Sequence, residues 1–357
     1  MRILVAPDKY AGTLSAVEAA EAIATGWRRT APGDELDLAP VSDGGPGFLD
    51  ALHAGLGGEL IAVTVSGPFG EPVPAAVLRI GTTAYVESAQ ACGLHLTGGR
   101  RGEDATTYGV GELLRAALDG GARRVVVGLG GSGSNDGGAG LLAALGAAAD
   151  VPLDQGVAGL RGLTRITLPE RPAAELVVAS DVDNPLTGLF GATKVFGPQK
   201  GIADLPAADA ALEALAAAAG RVAAVEKGAG AAGGLGYALL LLGATRRPGL
   251  GVIADAVDLD DRLARADLVI TGEGAFDASS RGGKVPVAVA ELAARHARPC
   301  VVLAGRVEIG VREARSLGVE AAYSVVDVAG EERALGDPHR ALADLAERVA
   351  RTWHVGE

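Results

Sequence analysis

Five of the 32 lysines and arginines in this chain are lysines, Lys9, Lys194, Lys200, Lys227 and Lys284, and each lies inside or beside a glycine-rich or Asp-Asn-Pro segment. A compact ammonium can cradle a phosphate or balance a buried carboxylate in ways that a planar guanidinium does not. Acids accompany them. In ELVVASDVDNPLTG an apolar run ends at Asp181, Asp183 and Asn184, and in DLVITGEGAFDASSRGGK another ends at Glu273, Asp277 and Lys284. Carboxylates at a strand's C-terminal end suit a general base or Mg²⁺, which takes one or two carboxylates and completes its shell with phosphate oxygens. For the first cluster the competing reading is an Asx-turn before Pro185. The second is not a Walker A loop, because both its first glycine and its final hydroxyl residue are missing.

The N-terminal segments APDKYAGTLSA and PVSDGGPG add Asp8, Lys9, Asp43, Gly44 and Gly45 after apolar runs, with Thr13 or Ser15 placed to cap a helix. RVVVGLGGSGSNDGGAGLL runs from a strand into a loop that interleaves Gly130 and Gly131 with Ser132, Ser134, Asn135 and Asp136. Successive backbone N–H groups in such a loop, followed by a helix N-terminus, form an anion site. Gly128, Gly130 and Gly133 also satisfy GxGxxG, which raises a dinucleotide. GAGAAG at Gly228, Gly230 and Gly233 satisfies it equally, so the expression decides little. TKVFGPQKG sets Lys194 and Lys200 around a Gly-Pro turn, and KGAGAAGGLG begins with Lys227.

The elements that must position these groups follow from periodicity. RILVA, a helix through Trp27 and the run ELDLAPV read as strand, helix, strand. ADLVITGEG, VPVAVAELAARHA, RPCVVLAGR and a closing helix near Leu342 to Trp353 repeat that order, so the two ends can share one parallel sheet. Between them SGPFGEPVPAAVLRIGTTAYVES alternates apolar and polar residues around Pro and Gly, as antiparallel hairpins do. The Ala-rich stretch from Pro206 to Ala224 reads as one helix. The expected fold is α/β with two domains. A discontinuous Rossmann-like parallel-sheet domain covers residues 1–62 and 255–357, an inserted α/β domain with a mixed sheet covers 63–254, and the active site is expected in the cleft between them.

With 357 residues, 48% of them hydrophobic, the chain can bury a core in each domain, and with 3% aromatics that core is built from small aliphatic residues. A net charge of −12 argues against duplex nucleic acid or an anionic membrane as partner. Cys92 and Cys300 belong to no metal-spaced cluster and read as reduced, buried thiols, which suits a cytoplasmic protein. No apolar run is long enough for a membrane span or a signal-peptide core. The five histidines lack metal spacing, and neither GxSxG nor HExxH is present.

In this order, APDKYAGTLSA, PVSDGGPG, YVESAQACGL, TTYGVGELL, GLGGSGSNDGG, DVDNPLTG, FGPQKG, GAGAAGGLG and TGEGAFDASSRGGK closely resemble the bacterial type I glycerate kinase family over nearly the whole chain. The resemblance implies ATP- and Mg²⁺-dependent phosphorylation of D-glycerate, 2-phosphoglycerate more than 3-phosphoglycerate, on a two-domain α/β fold. Family members often carry SFKGS after the first Asp, DGGEGT in the second motif and GEGRxD in the last. Here Lys9-Tyr10-Ala11-Gly12-Thr13, Asp43 to Phe48, and Ala275 stand in those places.

Carried onto this sequence, the implied catalytic residues are Asp183, Asp181, Lys200 and Asp277, with Asp183 or Asp181 as base or metal ligand. Asp8, Lys9, Asp43, Gly44, Gly45, Glu87, Gly130, Gly131, Ser132, Asn135, Asp136, Asn184, Glu273 and Lys284 are expected to bind substrate or nucleotide. Asp181 and Glu273 are the expected Mg²⁺ donors. D-glycerate is the expected small-molecule partner, and a homodimer is left open. A nicotinamide-dependent dehydrogenase of a small hydroxy acid and a catalytically silent nucleotide-binding regulator are the competing readings.

Overall fold

The computed structural model describes residues 1–10, 12–277 and 285–354. They form two compact units. The first comprises Met1–Asp43, Asp50–Gly57 and Leu250–Glu357, and the second comprises Gly44–Leu49 and Gly58–Gly249.

The first unit is built on a five-stranded sheet in the order Ala321–Ser324, Cys300–Ala304, Leu268–Thr271, Arg2–Val5, Glu35–Leu38, with every neighbouring pair parallel. Its central strands are buried because helices cover both faces: every residue of Leu268–Thr271 and of Cys300–Ala304 is buried, as is Arg2–Val5 apart from Arg2. The edge strand Glu35–Leu38 reads ELDL and is only half covered. Helix Ala16–Thr30 starts at Ser15, not Thr13: the Ser15 hydroxyl accepts the Glu18 N–H at 3.2 Å, and Glu18 accepts the Ser15 N–H at 2.8 Å. This reciprocal box satisfies two helix-end donors. The helix packs on Pro338–Trp353, and Gly26 allows the approach, since a Cβ there would lie 1.9 Å from the Ala343 carbonyl oxygen. Numbered within this unit, the strand order is 2-1-3-4-5, so the winding reverses between Arg2–Val5 and Leu268–Thr271. Such reversals open a crevice at the strands' C-terminal ends.

The second unit holds a six-stranded mixed sheet, Thr245–Arg247, Glu175–Ala179, Arg124–Gly128, Thr83–Glu87, Pro72–Ile80, Glu59–Ser66. The first four strands run parallel and the last two add antiparallel hairpins. Its core packs Val86, Val125, Val127 and Val178 beneath Leu113, Leu114 and Leu141. The Ala-rich stretch is two helices, not one. Asp204 caps Leu205–Ala219, Gly220 at φ +155° ends it, and Arg221–Ala224 follows. Only glycine adopts that backbone without strain. No helix among the described residues is long and apolar enough to cross a membrane.

Candidate active site

In the first unit, the C-terminal ends of the strands surround a cavity of about 440 Å³. Asp8 and Lys9 follow Arg2–Val5, Glu273 follows Leu268–Thr271, and Asp43 closes the same wall. The Asp8 backbone N–H donates to the Gly272 carbonyl at 2.9 Å, so the two strand ends flanking the winding reversal are tied together. Asp8 is 8% exposed. Its Oδ1 accepts the Lys9 N–H at 2.7 Å, and the Lys9 ammonium lies 3.7 Å from Asp8 and 3.4 Å from Asp43. Burial pushes the Asp8 carboxyl up to about 7 despite the opposing Lys9 charge, with Asp43 and Glu273 adding to the rise. A carboxyl held near neutrality can both take and return a proton. Away from these charges the wall is apolar, formed by Leu14, Val325, Val326, Ala334, Leu335 and Leu342.

The second unit carries Glu87, Asp181, Asp183 and the glycine loop at the C-terminal ends of its own strands. Asp183 is exposed, with the Lys227 ammonium at 3.0 Å and the Arg246 guanidinium at 2.7 Å. The Lys227 hydrogen bond, aided by the Arg246 charge, holds its carboxyl below the usual range. These two cations therefore keep Asp183 ionised. Asp181 accepts the Gly249 N–H at 3.0 Å, and the Asn184 amide donates to the Phe190 carbonyl at 2.8 Å. Asn184 thus ties its own loop together as a side-chain donor to a carbonyl six residues on, which is not the Asx-turn geometry of a side-chain oxygen accepting a nearby N–H.

The glycine loop is packed, not open, which corrects the expected exposure of its N–H groups. Ser132 is 5% exposed, and Asn135 and Asp136 are fully buried. Asp136 accepts four hydrogen bonds, from the Thr107 N–H and hydroxyl and from the Gly138 and Gly140 N–H groups. Its carboxylate ties loop to helix and presents nothing to a ligand. The Asn135 amide donates to the Thr193 hydroxyl at 2.9 Å. The Ser132 hydroxyl lies 3.0 Å from that of Ser134. Lys200, 2% exposed, donates to the Ser134 carbonyl at 2.6 Å, and burial lowers its pKa to about 8. It holds the loop from inside and does not reach outward for phosphate. Gly130 and Gly131 alone in this loop keep access to solvent.

Gly44 and Gly45 belong to a turn laid over this sheet. A Cβ on Gly44 would meet the Ala179 carbonyl at 2.6 Å, and one on Gly130 would meet Gly45 at 2.6 Å. Glu87 fastens the turn by accepting the Gly47 and Leu49 N–H groups at 3.1 and 3.3 Å. Within the first unit, then, the structure brings Asp8, Lys9, Asp43 and Glu273 together. Asp277, half-buried after the short strand Ala275–Phe276, ends the described segment. Lys284 lies outside the described residues. Tyr10, Val325, Val326 and Leu342, which line the cavity, went unnamed in the sequence because apolar side chains look the same in a core and in a ligand wall.

Among the described residues no three His, Cys, Asp or Glu side chains converge as a metal cage. Mg²⁺ does not require one. It is commonly held by one or two carboxylates with substrate phosphates, and Glu273, a hard oxygen donor lining the cavity, fits that use. Asp181, the other expected donor, lies in the second unit.

The dinucleotide reading finds no matching geometry. After Gly128, Gly130 and Gly133 the helix begins only at Ala139, and the second GxGxxG match follows helix Arg221–Ala224, not a strand.

Comparison with known proteins agrees with this outcome. A glycerate kinase from Bacillus subtilis is 41% identical, with 98% of this chain and 96% of the relative covered. A glycerate 2-kinase from Escherichia coli is 36% identical, with 100% and 99% covered. A crystal structure of a glycerate kinase 2 from Salmonella typhimurium LT2 superposes with a TM-score of 0.82 at 38% identity, covering 99% of this chain and 98% of that one. The sequence model of the glycerate kinase family matches residues 3–354. A doubly wound sheet, a mixed second sheet and motifs matched from end to end thus lead to one assignment: the chain belongs to the glycerate kinase family.

Proposed function

We propose that this enzyme transfers the γ-phosphate of ATP to D-glycerate, with Mg²⁺ bound, and that the product is 2-phosphoglycerate rather than 3-phosphoglycerate. The observation that carries the reading is the convergence of Asp8, Lys9, Asp43 and Glu273 on one cavity in a chain of this family. The preference for the 2-hydroxyl draws support from the E. coli relative named glycerate 2-kinase, which matches over the full chain.

In-line phosphoryl transfer asks little covalent work of the protein beyond positioning and charge neutralisation. Asp8 orients the attacking hydroxyl and takes its proton, since burial has raised its proton affinity into the working range. Lys9, partly exposed beside Asp8 and Asp43, meets negative charge on the transferring group. Glu273 would hold Mg²⁺, which when bound neutralises charge on the phosphate oxygens. Asp183 and Lys200 serve the second unit's architecture, one through exposed ion pairs and the other through the Ser134 carbonyl. The reduced thiols Cys92 and Cys300, both buried and free, suit a cytoplasmic setting.

The test is ADP release measured over D-glycerate, tartronate and related hydroxy acids, with the phosphorylated position read by phosphorus NMR. D-glycerate should be the preferred acceptor and 2-phosphoglycerate the product. No ADP above background with any hydroxy acid would overturn the kinase reading. Formation of 3-phosphoglycerate would overturn only the choice of hydroxyl.

A further inference from the structure

The first unit's cavity has two chemically different halves, and the acceptor can use only one of them. At the winding reversal of the sheet its wall is charged, with Asp8, Lys9, Asp43 and Glu273. Beyond the ends of Cys300–Ala304 and Ala321–Ser324 it is apolar, with Leu14, Val325, Val326, Ala334, Leu335 and Leu342. A volume of about 440 Å³ is that of a site for a drug-sized molecule. D-glycerate is a three-carbon acid with a polar group on every carbon, so it leaves the apolar half empty.

We infer that this apolar half seats the adenine and ribose of ATP, with the phosphates directed toward Lys9 and Glu273. The inference rests on the reading of the chain as an ATP-dependent kinase and adds the location of the nucleoside.

Three features favour a flat aromatic occupant. First, the crevice at a winding reversal is where open α/β sheets bind nucleotides, and here the cavity begins at that reversal. Second, the apolar wall is braced, not collapsible. The Tyr10 hydroxyl donates to the Leu303 carbonyl and fixes the ring, and Leu14, Val325, Ala334 and Leu342 continue into the core behind it. Third, Leu335 stands 61% exposed at the cavity mouth, on the short helix Glu331–Gly336. A base stacked inside would cover it and remove apolar surface from water. Arg306, paired with Glu331, bounds the same side.

Calorimetric binding of adenosine and of ATP to the full chain tests this, alongside steady-state kinetics in both substrates. Adenosine should bind the wild-type protein and inhibit competitively against ATP but not against D-glycerate. Leu335→Glu, at an exposed position where folding is not at stake, should weaken adenosine and ATP binding by about ten-fold or more. Val326→Trp, which fills the half-buried wall, should do the same, and in both variants the KM for D-glycerate should move by less than about two-fold. Failure of adenosine to bind the wild-type protein would overturn the inference. So would unchanged ATP affinity in both variants, or a change confined to D-glycerate. Adenosine binding that the variants abolish, with no phosphorylation of glycerate, would uphold the nucleoside site and sink the kinase reading instead.

Discussion

Asp136 Oδ2 accepts both the backbone N–H and the hydroxyl of Thr107, each at 2.8 Å, in a fully buried position. With the Gly138 and Gly140 N–H groups, four donors depend on this one carboxylate. Asp136→Ala strands them, and each buried unsatisfied group costs about 1–3 kcal/mol. Allowing for relaxation, the variant should lose about 3–5 kcal/mol of stability in urea unfolding. Asp136→Asn, which keeps one acceptor oxygen, should recover part of the loss. A loss below about 1 kcal/mol for Asp136→Ala would contradict the bracing role.

Two carboxylates have environments that push their proton affinities apart, upward at Asp8 through burial and downward at Asp183 through Lys227 and Arg246. Asp8→Asn should therefore lower kcat by about a hundredfold or more, as loss of a general base does. Asp183→Asn should lower it by less than about ten-fold, because an exposed ion pair contributes only about 0–1 kcal/mol. Steady-state kinetics on both variants decide between them, and the reverse ranking would move the base to Asp183.

The same Asp8 predicts a dependence of stability on pH. Its folded value of about 7 lies above the ordinary 3.8, so between those values the folded state binds more protons than the unfolded state. Stability then falls as pH rises through that window and levels off above it. Asp8→Asn removes the penalty and should be more stable than wild type by about 2–4 kcal/mol at pH 8. The difference should shrink toward zero at the acid end of the window. Urea unfolding of both proteins at several pH values checks this, and a variant less stable than wild type at pH 8 would refute it.

Gly26 meets the Ala343 carbonyl at the crossing of two long helices, where an added Cβ would stand 1.9 Å from the oxygen. Because backbone cannot swing aside as a side-chain tip can, Gly26→Ala should cost about 2–4 kcal/mol, at the upper end for overpacked sites. Thermal unfolding measures the loss. Helix propensity alone would give the opposite sign, by about 1 kcal/mol in favour of Ala.

Much of the fold was legible in the sequence, and the reason is local. Ile3 to Val5, Leu268 to Thr271 and Cys300 to Ala304 are apolar runs that only a sheet covered on both faces can bury. The antiparallel strands Pro72–Ile80 and Thr83–Glu87 showed their alternation. Asp8, Lys9, Asp43 and Glu273 were legible as strand-end polar residues, and the structure gathers them. The roles of Asp136, Lys200 and Asp183 were not legible, because they depend on partners at Thr107, Ser134 and Arg246 that are distant in sequence. A glycine loop reads alike whether its amides face solvent or a neighbouring turn. The break at Gly220 was hidden by the high helix propensity of the alanines around it.

The strand order of the first sheet has a consequence for how the protein is made. Arg2–Val5 and Glu35–Leu38 leave the ribosome early, yet the neighbour that Arg2–Val5 needs on its other side, Leu268–Thr271, is translated more than two hundred residues later. At a synthesis rate of about 5–20 residues per second, the nascent N-terminal strands wait for at least about ten seconds without that partner. Residues 58–249, which supply all six strands of the other sheet, are complete before then. The intervening unit can thus acquire its structure first, while the opening segment stays exposed to chaperones until the C-terminal third emerges.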